Sequence, residues 1–217
     1  MSSIAIIGGH GKVALHLARI LTAGSHSVDS LIRDPRQRAD ITAVGATPVI
    51  ADVENLTSEQ LAELLGGYDA VVWSAGAGGG SRERTYAVDR DAAIRSMDAA
   101  KLAGVSRYVM VSFKGSRVDH GTSPEDGMFA YYEAKAAADQ YLRETDLDWT
   151  ILGPSTLTQG AASGRIDVGA HLPPGEVSRE NVAQVIAAVL ANPATIGRFI
   201  EFNDGRTPID EAVDAAA

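Results

Sequence analysis

From its third residue the chain alternates short runs rich in Val and Ile with longer amphipathic stretches, and it keeps this alternation to about residue 152 without a linker or repeat. Strands are expected at Ser3 to Ile7, Val28 to Ile32, Pro48 to Ala51, Ala70 to Trp73, Tyr108 to Ser112 and Trp149 to Leu152. Helices are expected at Lys12 to Ala23, Arg36 to Val44, Ser58 to Leu65, Thr85 to Ala103 and Met128 to Thr145, the third opened by the capping box Thr57-Ser58-Glu59-Gln60. Strands separated by helices have to pair in parallel, because a crossover helix returns the chain to the same edge, and a parallel sheet needs cover on both faces. The expected fold is therefore α/β, a doubly wound and mostly parallel sheet in one domain over residues 1–217. Beyond residue 152 the pattern loosens into a Gly/Pro/Ser-rich stretch, Gly153 to Gly175, then a helix from Arg179 to Ala191 and a strand near Phe199 to Phe202. Ligands of such sheets bind outside the carboxyl ends of the strands, so residues 153–191 are expected to line a small, open substrate pocket.

Composition removes several functions. With 19 basic against 28 acidic residues the net charge is −9, and the basic residues are scattered, which argues against a nucleic-acid partner. The absence of cysteine excludes disulfides, thiolate metal sites and cysteine nucleophiles, and the five histidines, at 10, 16, 26, 120 and 171, lack metal-ligand spacing, so no metal is expected. The start, MSSIAIIGGHGK, lacks the basic and apolar regions of a signal peptide, and no apolar run approaches the ~20 residues that cross a bilayer. A cytoplasmic protein without a membrane partner, monomeric or homodimeric, is the expectation. No Gly-x-Ser-x-Gly elbow is present, since Gly153-Pro154-Ser155-Thr156-Leu157 fails at its last position.

Glycine is in excess, at 22 residues, and its most informative cluster follows the first strand. Ile4 to Ile7 runs into Gly8-Gly9-His10-Gly11-Lys12-Val13-Ala14, a tight turn that opens a helix and matches G-x-G-x-x-A at Gly9, Gly11 and Ala14. Small residues let the backbone approach a pyrophosphate, and the helix N-terminus offers it free N–H groups and partial positive charge. Residues 8–13 are accordingly expected to hold a dinucleotide; a Walker-type loop is excluded because Val13 follows Lys12. The second strand ends at Arg33, which favours the 2′-phosphate of NADP where a carboxylate would favour NAD; Arg36 and Arg38 could assist, and Asp34 could turn inward to serve NAD. Asp52 and Val53, at the end of the third strand, are expected near the adenine edge.

The fifth strand ends at Ser112, and the following helix carries Tyr131-Tyr132-Glu133-Ala134-Lys135. Tyr131 and Lys135, four apart, share a helical face. An ammonium beside a phenol would lower its pKa from ~10 toward neutrality and could grip a cofactor ribose, while a serine hydroxyl at the sheet's carboxyl edge could steady a substrate oxygen. Residues Phe113 to Gly127 could form a lid with Phe113, Met128 and Phe129 as its apolar wall, and Gly78-Gly79-Gly80 is either a hinge or a solvated loop.

Together these residues resemble the short-chain dehydrogenase/reductase family, in particular its atypical, compact NAD(P)H-binding branch with a Rossmann-like sheet. The likeness rests on GGHGKVA at 8–14, Arg33, ADV at 51–53, SAGAG at 74–78, VMVS at 109–112, YYEAK at 131–135 and GPSTLT at 153–158. It implies that Ala75, Gly76 and Ala77 line the cofactor, that Ser112, Tyr131 and Lys135 are catalytic, and that Pro154, Ser155, Thr156 and Leu157 lie against the nicotinamide. The chain departs from relatives in lacking paired asparagines in SAGAG, in having Asp89 where many have a structural Asn, and in having Phe113 for a second serine. The expected activity is NADP(H)-dependent hydride transfer to or from a small carbonyl, quinone or flavin-like acceptor. The alternatives are a non-enzymatic NADP redox sensor and a nucleotide-sugar epimerase or dehydratase.

Overall fold

The structure, a computed structural model, describes residues 1–79 and 81–217, so Gly80 of the glycine run lies outside the described residues. In chain order the first half comprises β1 (Ser3–Ile7), α1 (Lys12–Ala23), β2 (Ser27–Ile32), α2 (Arg38–Ala43), β3 (Thr47–Ile50), α3 (Ser58–Leu65), β4 (Ala70–Trp73), α4 (Arg82–Thr85), α5 (Ala93–Leu102) and β5 (Arg107–Val111). The second half comprises α6 (Phe129–Arg143), β6 (Asp148–Pro154), β7 (Thr156–Thr158), β8 (Arg165–Val168), β9 (Glu176–Ser178), α7 (Arg179–Ala191), β10 (Arg198–Asp204), β11 (Thr207–Pro208) and α8 (Ile209–Ala216). The main sheet has the order β11-β8-β10-β6-β5-β4-β1-β2-β3. Its strands from β10 through β3 are parallel, and β8 runs antiparallel to both β10 and β11.

The alternation of side chains along each strand divides the core in two. Ile4 and Ile6 of β1, with Val72, Val109 and Leu152, pack against α1, α7 and α8 on one face. Ala5 and Ile7, with Val71, Trp73, Tyr108 and Met110, pack against α3, α5 and α6 on the other. Burial on both faces is why β4, AVVW, reads as an unbroken apolar run.

Two expected helices are subdivided. Arg36 to Val44 becomes a 3-10 turn at Pro35–Gln37 followed by α2, with Asp34 capping the turn. Thr85 to Ala103 becomes α4, a π-helical segment at Tyr86–Ala92, and α5. The loose stretch after residue 152 is more ordered than expected: β7 and β9 pair in a small parallel sheet, and Gly164, at the entrance of β8, donates its N–H to Asn181 Oδ1 at 2.9 Å. No helix among the described residues is long and apolar enough to cross a membrane, and none of them form a group of three or more metal-binding side chains.

Candidate active site

The turn after β1 is pinned before it meets any ligand. Gly8 and Gly9 both donate their N–H to the Leu31 carbonyl, at 3.2 and 3.0 Å, and Gly8 takes φ +83°, a conformation glycine adopts without strain. A Cβ on Gly8 would lie 2.6 Å from Ala75 Cα, and one on Gly9 would lie 2.4 Å from Ser30 Cβ. Gly11 is the N-cap of α1, with no side chain to satisfy the first amides and no acidic residue in the first turn. An uncapped helix N-terminus beside a close-approach backbone suits a phosphate group.

Two clefts meet at this turn, sharing Gly11, Ser74, Ala75 and Gly76 where the ends of β1 and β4 diverge. The first, about 660 Å³, is lined by Gly8, His10, Arg33, Asp34, Arg36, Asp52 and Val53. Asp34 does not turn inward: it caps the Arg36 N–H at 2.9 Å and receives the Arg36 guanidinium at 2.6 Å, which holds its carboxyl down at about 2. Arg36 is thereby paired, and Arg33 lines the same cleft with its side chain 56% exposed. Glu54 and Arg84, which no local motif marks, line this cleft too. Glu54 Oε2 lies 3.3 Å from Arg33 Nη1 and 3.6 Å from Arg84 Nε. His10 Nε2, in the turn, is hydrogen-bonded to Asp40 Oδ2 at 2.7 Å.

The second cleft, about 530 Å³, brings together Lys12, Val13, Ala77, Ser112, Tyr131, Lys135 and Leu157, with Gly78 and Gly79 also on its wall. Of the Pro154–Leu157 stretch only Leu157 lines it; the Ser155 hydroxyl is hydrogen-bonded to Asn203 Oδ1, and Thr156 is exposed. Lys135 is buried, donates to the Val111 carbonyl at 2.8 Å and lies 3.9 Å from Asp89 Oδ1. The π segment delivers Asp89 to this point, where its other oxygen accepts the Ala77 N–H at 2.9 Å. Ser112 Oγ is 2.5 Å from Asp139 Oδ2, one turn of α6 beyond Lys135.

The expected lowering of the Tyr131 phenol is corrected. Its pKa is pushed up, by burial first and then by the Asp89 and Asp139 carboxyls, while Lys135 is engaged by Asp89 and the Val111 carbonyl. The Phe113–Gly127 segment is tied down: Lys114 Nζ donates to the Pro173 carbonyl at 2.8 Å, and Arg82 to the Pro124 carbonyl at 2.7 Å. Of the expected apolar wall only Met128 lines the cleft; Phe113 packs in tilted contact with Tyr131 at 5.5 Å and Tyr132 at 5.0 Å, and Phe129 faces His120. Arg179, half-buried at the start of α7 and on the cleft wall, escaped the sequence reading because nothing local marks it.

A parallel sheet with an uncapped, glycine-lined helix start at its switch point, and a divided groove above it, defines a dinucleotide-binding protein of the oxidoreductase and epimerase type. The chain belongs to the NAD(P)H-binding family, which its residues 8–193 match. It is similar to a Bacillus subtilis protein named as the sugar epimerase YhfK, 31% identical over 96% of this chain and 97% of that one. Among solved structures it resembles a Bacillus halodurans protein named for NAD-dependent epimerases/dehydratases, with a TM-score of 0.91 and 31% identity over 99% and 100% of the two chains. It also resembles the Lactococcus lactis oxidoreductase ylbE, with a TM-score of 0.86 and 30% identity over 98% and 95%. The resemblance to short-chain dehydrogenases/reductases of the compact branch is borne out.

Proposed function

We propose that the protein is an NADP(H)-dependent oxidoreductase acting on a small carbonyl, quinone or flavin-like acceptor. The observation that carries this reading is the convergence of Ser112, Tyr131 and Lys135 on the cleft that adjoins the glycine turn. When bound, a reduced nicotinamide supplies a hydride. Tyr131 then provides the proton: its raised pKa keeps the phenol protonated at neutral pH, the state a general acid requires. Lys135 holds the floor of the cleft and offers an N–H to a ribose hydroxyl, and Ser112 steadies the acceptor oxygen. Arg33 selects NADP over NAD through the 2′-phosphate.

The names of the Bacillus subtilis and Bacillus halodurans relatives favour a second reading, epimerisation or dehydration of a nucleotide sugar. Cleft size supports the first: about 530 Å³ must hold the nicotinamide and its ribose as well as the substrate, which suits a small acceptor better than a sugar nucleotide. The test is titration with NADPH and NADH by nicotinamide fluorescence, then an acceptor screen by loss of NADPH absorbance. Tyr131→Phe is expected to lower kcat by about 10²–10⁴-fold with NADPH affinity unchanged. NADPH binding without turnover across carbonyls, quinones and flavins would overturn the enzymatic reading in favour of a redox sensor.

A further inference from the structure

Helix α6 buries a second ionisable group behind the proposed site. Asp139 is fully buried, with Oδ2 at 2.5 Å from Ser112 Oγ and 2.6 Å from Ser116 Oγ, while Oδ1 has no hydrogen-bond partner among the described residues. The groups around it do not balance a negative charge. Lys135, one turn away on the same helix, is the nearby buried cation, and it is paired with Asp89 of the π segment at 3.9 Å, both side chains being under 5% exposed. Arg143, a turn further along α6, is drawn over the Phe199 ring at 5.1 Å. The cluster thus holds two carboxyls and one ammonium. A second buried negative charge with one bare oxygen would be left against two neutral hydroxyls, an arrangement that desolvation strongly disfavours.

We infer that Asp139 is a neutral carboxylic acid that donates its proton to Ser112 Oγ and so frees the Ser112 hydroxyl to donate into the cleft. A serine hydroxyl has one proton and two lone pairs. With Asp139 ionised, Ser112 and Ser116 would both donate to Oδ2, and Ser112 would present only lone pairs to an acceptor oxygen, opposing the negative charge that develops there. With Asp139 neutral, Ser116 donates to Oδ2, Oδ2–H donates to Ser112, and the Ser112 proton points to the acceptor. No proton leaves Asp139; it is a positioning residue that sets the polarity of a hydrogen-bond chain. Burial pushes the Asp139 carboxyl up, against the opposing pull of Ser112, Ser116, Lys135 and Arg143, which agrees with the proton count.

Only the last link, from Ser112 to an acceptor, rests on the oxidoreductase reading; the state of Asp139 can be measured without a substrate. The experiment is an infrared difference spectrum, wild type minus Asp139→Asn, on the whole protein across a pH series. The expected result is a carbonyl stretch of a neutral carboxyl at pH 7, shifting on deuteration and absent from the variant. A carboxylate band lost at pH 7 in its place would overturn the inference, whatever the activity proves to be. Where turnover is found, Asp139→Leu is expected to lower kcat at least tenfold, about the loss of one hydrogen bond to developing charge, with NADPH affinity unchanged. Asp139→Asn, whose amide N–H can donate to Ser112, is expected to rescue that loss. An Asn variant with the wild-type melting temperature but the low kcat of Ser112→Ala would refute the donor role.

Discussion

One carboxylate, Glu54, controls the proposed cofactor choice. In the adenosine cleft it holds Arg33 at 3.3 Å and Arg84 at 3.6 Å on the same oxygen, while Arg84 also donates to the Ala77 carbonyl at 2.7 Å. Arg84 is therefore anchored twice, and Arg33, 56% exposed and held by Glu54 alone, is the arginine able to turn to a 2′-phosphate. A charge-assisted hydrogen bond to phosphate contributes about 1.5–3 kcal/mol, and solvent screening at a half-exposed guanidinium puts Arg33 at the lower end. Arg33→Ala is accordingly expected to raise the NADPH Kd roughly tenfold and leave NADH within about twofold. Glu54→Gln acts in the opposite direction. It removes an exposed ion pair worth about 0.2–1 kcal/mol that Arg33 must break, together with a negative charge facing the phosphate, so NADPH should bind about three- to tenfold more tightly. Fluorescence titrations of both cofactors at two ionic strengths would measure this, and the NADPH-specific effects should shrink as salt rises. Equal losses of NADPH and NADH on Arg33→Ala, or a Glu54→Gln protein that binds NADPH more weakly, would refute the assignment.

Three further outcomes follow from the same geometry. Lys135→Met should strand the buried Asp89 charge and destabilise the fold by about 3–5 kcal/mol, read as a fall in Tm on the order of 10 °C, with Asp89→Asn in the same background restoring part of it. Asp139, with its folded pKa raised above 3.8, binds more protons folded than unfolded between the two values. Its stabilisation is complete below the unfolded value and is lost as pH rises through the folded one, so urea melts should show a downward slope that Asp139→Asn removes. Gly8→Ala combines φ +83° with a Cβ 2.6 Å from the Ala75 backbone; calorimetry should record a loss of about 1–3 kcal/mol, accompanied by loss of NADPH binding.

What could be read from the sequence had its cause close at hand in the chain. The central strands β1, β4 and β5 announced themselves because they are buried on both faces and so carry a local apolar run, while the edge strand β3, TPVI, has no buried residue and was marked by its Val and Ile alone. By contrast β8, RIDV, with one fully buried residue, and the two-residue β11 owe their existence to pairing with β10 and with each other, partners 30 residues or more distant for β8 and β10, and left no periodic signal. The same division holds in the site. Tyr131 and Lys135 lie on one helix, so their spacing was enough to bring them to one cleft. Glu54 and Arg84 meet only because the segment after β3 and helix α4 fold over the same crevice.

The sign of the Tyr131 shift was missed for a related reason. It depends on burial and on Asp89, and Asp89 reaches Lys135 through a π-helical segment that a period of 3.6 residues does not describe. In sequence, nothing around Asp89 marks it as a partner of Lys135. In the fold it adds a buried negative charge that engages the one ammonium at the floor of the cleft. Beside it, burial and the Asp89 and Asp139 carboxyls raise Tyr131, and burial raises Asp139 against the pull of Lys135 and Arg143. Asp89→Asn removes a carboxyl that raises the phenol and should therefore lower the Tyr131 pKa, a shift that tyrosinate absorbance would report in a pH titration; an unchanged Tyr131 titration would refute the coupling.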